Sequence, residues 1–397
     1  KVLAIKPDHA EAHNAVGIVL KEQGRYDAAL SYLKKAVSIN PGFADAYSNL
    51  GNTLKAQGRV AESIANHEKA VSIQPNNSKA IKNLSLSQLL SGDFKAGWEN
   101  FNCRWQSDQS SYKRFKKYRM PLWQGGPLAG KRILLWDEQG VGESILFASM
   151  IPELIKLVAD ITLECDKRLI PIFLRSFPAI TCISTDDLEA ANGGFDYHIP
   201  LGNLGRWLRA DFNSFPKKKF HLIVDQGKRL ELYKRYKRPG KVMLVGISWY
   251  SKSITYGQKS IKLQELLPLL STPGMVFVDL QYGDTSKERR ELFESTGIEI
   301  IHDEAINQMR DLDSFAAQVA AMDMVVSISN TTAHMAGSLG VPTLLMLGRV
   351  PLWYWMMDCQ DSPWYSSLHL FRQKKPGEWE EVVEQVVKAV NNRIAKL

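Results

Sequence analysis

Residues 327–348 read SISNTTAHMAGSLGVPTLLMLG, and this stretch decides the architecture of most of the chain. From Met324 to Gly348 there is no Asp, Glu, Lys or Arg, a run long enough to invite a membrane reading. Asn330, Thr331, Thr332, His334, Gly337, Gly340 and Pro342 interrupt it, so it reads instead as a buried strand, a polar turn, a small-residue helix and a second buried strand. The polar cluster of Asn330, Thr331 and Thr332 stands where strand gives way to helix, so the first helical amides converge on one spot. A helix start of this kind favours an anion, and a diphosphate is its natural occupant. His334, in the first turn, is expected on the side of that occupant, with a purely structural histidine as the plainer alternative.

Outward from this stretch, apolar bursts rich in Ile, Leu and Val alternate with helical patterns: RILLW and DITLEC upstream, then KVMLVGISW, MVFVDLQ, IEIIH, MDMVVSIS and TLLMLG. The alternation predicts parallel α/β sheets in two Rossmann-like halves, 131–240 and 241–397, on either side of the basic stretch KRLELYKRYKRPGK at 228–241. Ligands of such sheets bind beyond the carboxyl ends of strands, which directs attention to residues after Trp136, Ile247, Leu280, Ile328 and Leu347. After the first of these comes WDEQGVGES, where Gly140 and Gly142 let backbone approach a ligand and Glu143 opens a helix. The helix dipole keeps Glu143 ionised, which suits a general base and equally suits a plain N-terminal charge. After the second comes GISWYSKSITYGQKSIKL, in which Trp249 ends the strand and Ser251, Lys252, Ser253 and Lys259 offer hydroxyls and ammonium groups to a phosphate. Solvated loop lysines are the alternative. Trp353, Tyr354 and Trp355 either stack on a ligand or close a core. EWEEVVEQVVKAVNNRI at 378–394 reads as a final helix. No Ser/His/Asp arrangement, metal cluster or P-loop occurs, so hydrolase and kinase chemistry lack support.

The N-terminal third is built differently. Pro7, Pro41 and Pro75 are 34 residues apart, as are Gly24, Gly58 and Gly92. Residues 10–43 align with 44–77, each unit reading as two amphipathic helices broken at Q-G-R, with Val16, Leu20, Leu50 and Leu54 inward. Gly17, Ala29 and Ala36, then Gly51, Ser63 and Ala70, stand where paired helices must approach closely. A third unit from Ser78 is degenerate, and KVLAIKP reads as the last turn of a preceding one, so repeats are expected upstream. Stacked pairs of this kind make a concave groove that captures partners, or, in so short an array, cap or dimerise the larger part. Homo-oligomerisation is left open. Asn14, Asn49, Asn52 and Asn83, expected to be exposed, offer donor and acceptor to an extended backbone in the groove. The polar, basic and Gly/Pro-containing text from 108 to 130 reads as a linker.

The formal charge of +8 divides into +3 over residues 1–110, +9 over 111–241 and −4 over 242–397. A basic middle points to an anionic ligand or partner, but no module for nucleic acid accompanies it. Cys103, Cys165, Cys182 and Cys359 are widely spaced without metal-ligand pattern, as expected of reduced thiols in a cytoplasmic protein.

Taken together, these motifs carry a resemblance. The 327–348 stretch is similar to the donor-binding segment of heptosyltransferase-like glycosyltransferases of family nine, which read D-[ST]-x-x-x-H-[LM]-A-x-x-L-G-x-P. GWENFNCRW, PLWQGGPLAGKRILLWDEQGVGES, SPWYSSLHLFRQKKPGEWEEV and the helical repeats resemble bacterial proteins that join tetratricopeptide repeats to such a domain. The resemblance implies a tetratricopeptide solenoid over 1–107 and a GT-B fold beyond it, with a nucleotide-sugar donor as co-substrate, no metal or cofactor, and a final helix packing back across the first half. It places Glu143 where relatives have the Asp that deprotonates the acceptor, and Lys259 where they have Arg before S-[IL]-x-L. It sets Asn330 at the usual Asp of the third motif. The implied activity is sugar transfer to an acceptor hydroxyl, on a protein such as flagellin or another surface protein recruited by the repeats. A repeat scaffold with an inactive, sugar-nucleotide-binding domain is the alternative.

Overall fold

The computed structural model describes residues 2–107, 109–187, 193–217, 220–252 and 259–395. It divides into two compact units. The first comprises residues 1–117 with 205–214 and 352–358, and the second 118–204, 215–351 and 359–397.

The first unit begins with α1 (Val2–Ile5), α2 (Ala10–Glu22), α3 (Tyr26–Ile39), α4 (Ala44–Ala56), α5 (Val60–Ile73), α6 (Ser78–Ser91) and α7 (Phe94–Phe101). Gly24, Gly58 and Gly92 each take positive φ at the turn inside a pair, a conformation open to glycine at little cost. The small-residue positions act as expected: a Cβ on Gly17 would come within 2.5 Å of Leu33, and one on Gly51 within 2.7 Å of His67. Leu30, Leu33, Leu50 and Leu54 form the shared core, while Val16 is only half-buried. The degenerate third pair folds as α6 and α7. Its Trp98 indole donates to the Arg209 carbonyl at 2.8 Å and meets Trp353 edge-on at 5.3 Å. Gly205 lacks the Cβ that would lie 2.5 Å from that indole. Trp353, Tyr354 and Trp355 are therefore core residues of this unit, the plainer of their two readings.

The stretch expected as a linker is largely structured. Gln109–Lys116 is helical in the first unit, and Pro121, Leu122 and Trp123 bond to His198 alongside a strand of the second.

The second unit holds two wholly parallel sheets. The first contains β1 (Arg132–Trp136), β2 (Asp160–Cys165), β3 (Thr181–Ser184) and β4 (Tyr197–Pro200) in the order β3-β2-β1-β4. The second contains β5 (Met243–Ser248), β6 (Met275–Asp279), β7 (Ile300–Ile301), β8 (Met324–Ile328), β9 (Thr343–Leu347) and β10 (Leu368–Arg372). Its order is β10-β9-β8-β5-β6-β7, doubly wound outward from β5 and β8. The final helix, Glu380–Ile394, does not pack back across the first sheet. Val382, Val383, Val386 and Val390 join Met243, Leu269 and Met275 in the core beneath the second. Its valines supply one apolar stripe, which completes the core of its own half. No described helix is long and apolar enough to cross a membrane.

Candidate functional site

Strand order reverses between β5 and β8, so the chain leaves their carboxyl ends toward opposite faces and a crevice opens there. Ser248 ends β5, and Asn330 caps the Thr331–Leu339 helix after β8. Asn330 accepts from the Ala333 amide at 3.4 Å and from Ser327 Oγ at 3.1 Å. Its Nδ2 donates to Ser248 Oγ at 2.7 Å and the Tyr250 carbonyl at 3.4 Å. Thr332 Oγ1 donates to the Leu280 carbonyl at 3.2 Å and is buried. The side chains of Asn330 and Thr332 thus fasten loops together. With the Ala333 amide capped by Asn330, this turn offers a ligand Thr331 and the remaining helix-start amides, which have no intrahelical acceptor.

Gln281 organises the other lip. Its Oε1 accepts from Ser248 Oγ at 2.9 Å, the Trp249 amide at 2.9 Å and the Tyr250 amide at 2.8 Å. The sequence marked the place after Leu280 but not this residue, because a glutamine carries no chemical signature until its partners are known. Trp249 does not face the crevice: it is 1% exposed in the second half's core and its indole donates to Glu288 at 2.7 Å. Tyr250 is the exposed aromatic at this strand end. The Lys252 amide donates to Tyr282 Oη at 2.5 Å, with Lys252 Nζ 5.9 Å over the Tyr282 ring. Ser253 lies outside the described residues.

Glu143 comes from the first half, in the first turn of the Val141–Ala148 helix after β1. Its Oε2 lies 3.3 Å from the position a Cβ on Gly140 would take, so it folds back over the loop. Burial lowers the pKa of the Lys259 ammonium, and the Glu143 carboxylate opposes that shift. The two charges, from opposite halves, therefore feel one another. Asp137, unmarked by the sequence reading, braces this lip from beneath: it is buried and accepts from the Asp166 amide at 3.1 Å and from Ser144 Oγ at 3.4 Å.

His334 is 2% exposed, enclosed by Tyr365 and Gly142. Its Nδ1 lies 3.0 Å from the Tyr365 hydroxyl, and burial holds its pKa down at about 3, with the Lys259 charge adding to the shift. Gly142 is glycine for the same reason: a Cβ there would stand 2.8 Å from His334 Cδ2. Gly142 thus lets two helices approach closely across the halves. Tyr365 packs its ring on Gly337, and burial with the nearby Glu143 charge keeps its hydroxyl protonated.

In the first unit, Asn49 Nδ2 donates to Asn14 Oδ1 at 2.9 Å and Asn83 Nδ2 donates to Ser48 Oγ at 3.1 Å. Asn14, expected exposed, is 9% exposed because it is bonded between adjacent repeats. Asn49, Asn52 and Asn83 are half-buried.

Residues 17–58 match a family described as TPR repeat, and residues 43–74 one described as tetratricopeptide repeat. The first unit carries these repeats. Protein FlbA of Caulobacter vibrioides is 30% identical over 324 residues, 77% of this chain and 53% of that protein. The chain thus spans about half the length of this curated relative. The crystal structure of a glycosyl transferase family 9 protein from Veillonella parvula covers 68% of this chain and 99% of its own, with a TM-score of 0.50 at 14% identity. The E. coli ADP-heptose lps heptosyltransferase II covers 67% of this chain and 99% of its own, with a TM-score of 0.49 at 12% identity. Beyond the repeats the chain has the fold of the family 9 transferases, two parallel-sheet halves in GT-B arrangement.

Proposed function

We propose that the second unit is a glycosyltransferase that moves a sugar from a nucleotide-sugar to an acceptor hydroxyl. The observation that carries this reading is that Glu143, on the helix after β1, and Lys259, beyond β5, feel one another's charge. A carboxylate of one half and an ammonium of the other thus lie within electrostatic reach, each beyond the carboxyl end of a parallel strand, where such sheets place their ligands. In this reading the donor diphosphate lies against the amides that open the Thr331–Leu339 helix, with Thr331 as a hydroxyl donor and Lys252 and Lys259 as counter-charges. Glu143 takes the proton from the acceptor hydroxyl as its oxygen bonds to the sugar carbon. The bond from that carbon to the phosphate oxygen breaks, and Lys259 offsets the charge gathering on the departing nucleotide. No metal is needed, because two ammonium groups and a helix start supply the positive field.

The repeats recruit the acceptor, which on this account is a protein, with flagellin or another surface protein as the class to try, and the reaction takes place in the cytoplasm. Replacing Glu143 by Gln keeps the shape of the side chain and removes the base. Transfer is expected to fall by about a hundredfold or more while nucleotide-sugar affinity stays within about threefold. Full transfer by Glu143→Gln, measured as nucleotide release with acceptor present, would remove Glu143 from the mechanism. Donor binding without turnover in the unaltered chain would favour the scaffold reading.

A further inference from the structure

Arg168, in the turn after β2, uses its guanidinium in two directions. Its Nε and Nη2 hold the Asp166 carboxylate at 2.9 Å and 2.6 Å, and the Arg168 amide adds a third bond at 2.9 Å. Its Nη1 donates at 2.7 Å to the carbonyl of Met309, which belongs to the second half. An ion pair between exposed side chains is worth little. This one is bidentate, and its side chains are only 27% and 29% exposed. The guanidinium holds the Asp166 carboxyl below the usual carboxylate range, so the pair stays charged at neutral pH.

From Asp166 the bonds continue inward. Its amide donates to Asp137 Oδ2 at 3.1 Å, and the same oxygen accepts from Ser144 Oγ at 3.4 Å. Ser144 follows Glu143 in the Val141–Ala148 helix, and both Ser144 and Asp137 are buried. The Asp137 amide donates to the Glu164 carbonyl at 2.9 Å, which carries the β1–β2 pairing one residue further and fixes Asp137 to the sheet. A continuous series of hydrogen bonds thus runs from a carbonyl of the second half to the residue beside Glu143. A second contact between the same halves makes the contrast. Arg175 grips Asp313, four residues beyond Met309, with bonds of 2.6 Å and 3.0 Å, and among the described residues its side chain bonds no other group.

We infer that Asp137 and Arg168 are positioning residues for Glu143, and that the Met309–Arg168–Asp166–Asp137–Ser144 relay carries the position of the second half to the helix that bears the base. The inference rests on the reading of Glu143 as the base and deepens it. The donor phosphates bind to the second half and the base belongs to the first, so transfer depends on register between them. A misplacement of about 1 Å costs on the order of a hundredfold in rate. Loss of the relay therefore falls on kcat, whereas the groups assigned to the donor phosphates remain in place.

Two readouts on the full chain test this. The first is hydrogen exchange without ligand. Arg168→Met and Asp137→Ala are expected to speed exchange over residues 141–148 by about tenfold or more, with β8 unchanged as proof of folding. Asp137→Asn, whose carboxamide oxygen accepts both bonds, is expected to match the parent, as is Arg175→Met. The second is nucleotide release from UDP-, ADP-, GDP- and CMP-sugars with water as acceptor. Arg168→Met is expected to lower kcat about tenfold with KM within about threefold, and to cost nothing further in a Glu143→Gln background. Unchanged exchange in Arg168→Met, equal effects of Arg168→Met and Arg175→Met, or full additivity with Glu143→Gln overturns the inference. A parent chain that releases nucleotide from none of these sugars counts against the transferase reading instead, and exchange still decides whether the relay holds the helix.

Discussion

Lys259 and the buried histidines show at the residue scale what burial does to titratable groups: it makes one charge costly and keeps three imidazoles neutral. Burial lowers the folded pKa of Lys259, so the unfolded chain binds more protons above that pKa, and stability rises with pH across the interval up to the ordinary lysine value. Lys259→Met is therefore expected to melt at a higher temperature than the parent at neutral pH while losing nucleotide binding. A lowered melting temperature would mean the ammonium is structural. His67 and His334 have pKa values of about 3, and His198, which accepts from the Trp136 indole at 3.1 Å, about 4, all through desolvation first. Each is neutral when folded and takes up a proton when unfolded below about pH 6.5. Stability is therefore full above that pH and is lost as pH falls from 6.5 toward 4, by up to about 1.4 kcal/mol per pH unit for each group. Urea unfolding at pH 7 and pH 5 checks this, and His67→Leu is expected to flatten the dependence. His334 was visible in the sequence as a first-turn residue. That it turns inward was not, because Tyr365 and Gly142, which enclose it, are distant in the chain.

At the scale of elements, what was legible followed from periodicity, and what was missed depended on partners. The long apolar strands β1, β2, β5, β6, β8 and β9 announce themselves by runs of Ile, Leu and Val. β3, β4 and β10 are short or carry polar residues, and become strands only because a neighbouring edge is there to receive them. The final helix was legible as an amphipathic stripe, but a stripe names no surface, and the expectation that it crosses to the first half failed on that point. The Val141–Ala148 and Thr331–Leu339 helices are held close by the absence of one side chain. Gly142→Ala places a methyl within 2.8 Å of His334 Cδ2, between two packed helices with little room to yield. It is expected to cost about 1–3 kcal/mol and to disturb Glu143, one residue on, so that transfer falls more than donor binding. Unchanged stability on thermal unfolding would show that the helices can separate freely.

For the whole molecule, the repeat unit is completed by segments that arrive late in the sequence. Residues 205–214 and 352–358 belong to it, and Trp98 is enclosed by Arg209, Gly205 and Trp353. A chain cut after residue 107 would leave Trp353 and Trp355 without their cover, so loss of transfer on deleting residues 1–107 is a poor measure of recruitment. Trp98→Ala is the sharper probe. It is expected to destabilise the first unit by about 3–5 kcal/mol, seen as an earlier transition in denaturant unfolding. A change under about 1 kcal/mol would show that these late segments contribute little to the unit. The repeat period is written in the sequence, whereas this completion depends on segments more than a hundred positions away. The central claim is that the second unit holds a nucleotide-sugar at the carboxyl ends of β5 and β8. It is tested most directly by thermal unfolding of the full chain against a panel of nucleotides and nucleotide-sugars, with Lys259→Met run alongside. A ligand at about 100 times its dissociation constant adds roughly 2.7 kcal/mol of stability. The account predicts a selective upward shift with one class of nucleotide-sugar that Lys259→Met lacks. No shift with any member, or the same shift in Lys259→Met, would contradict it.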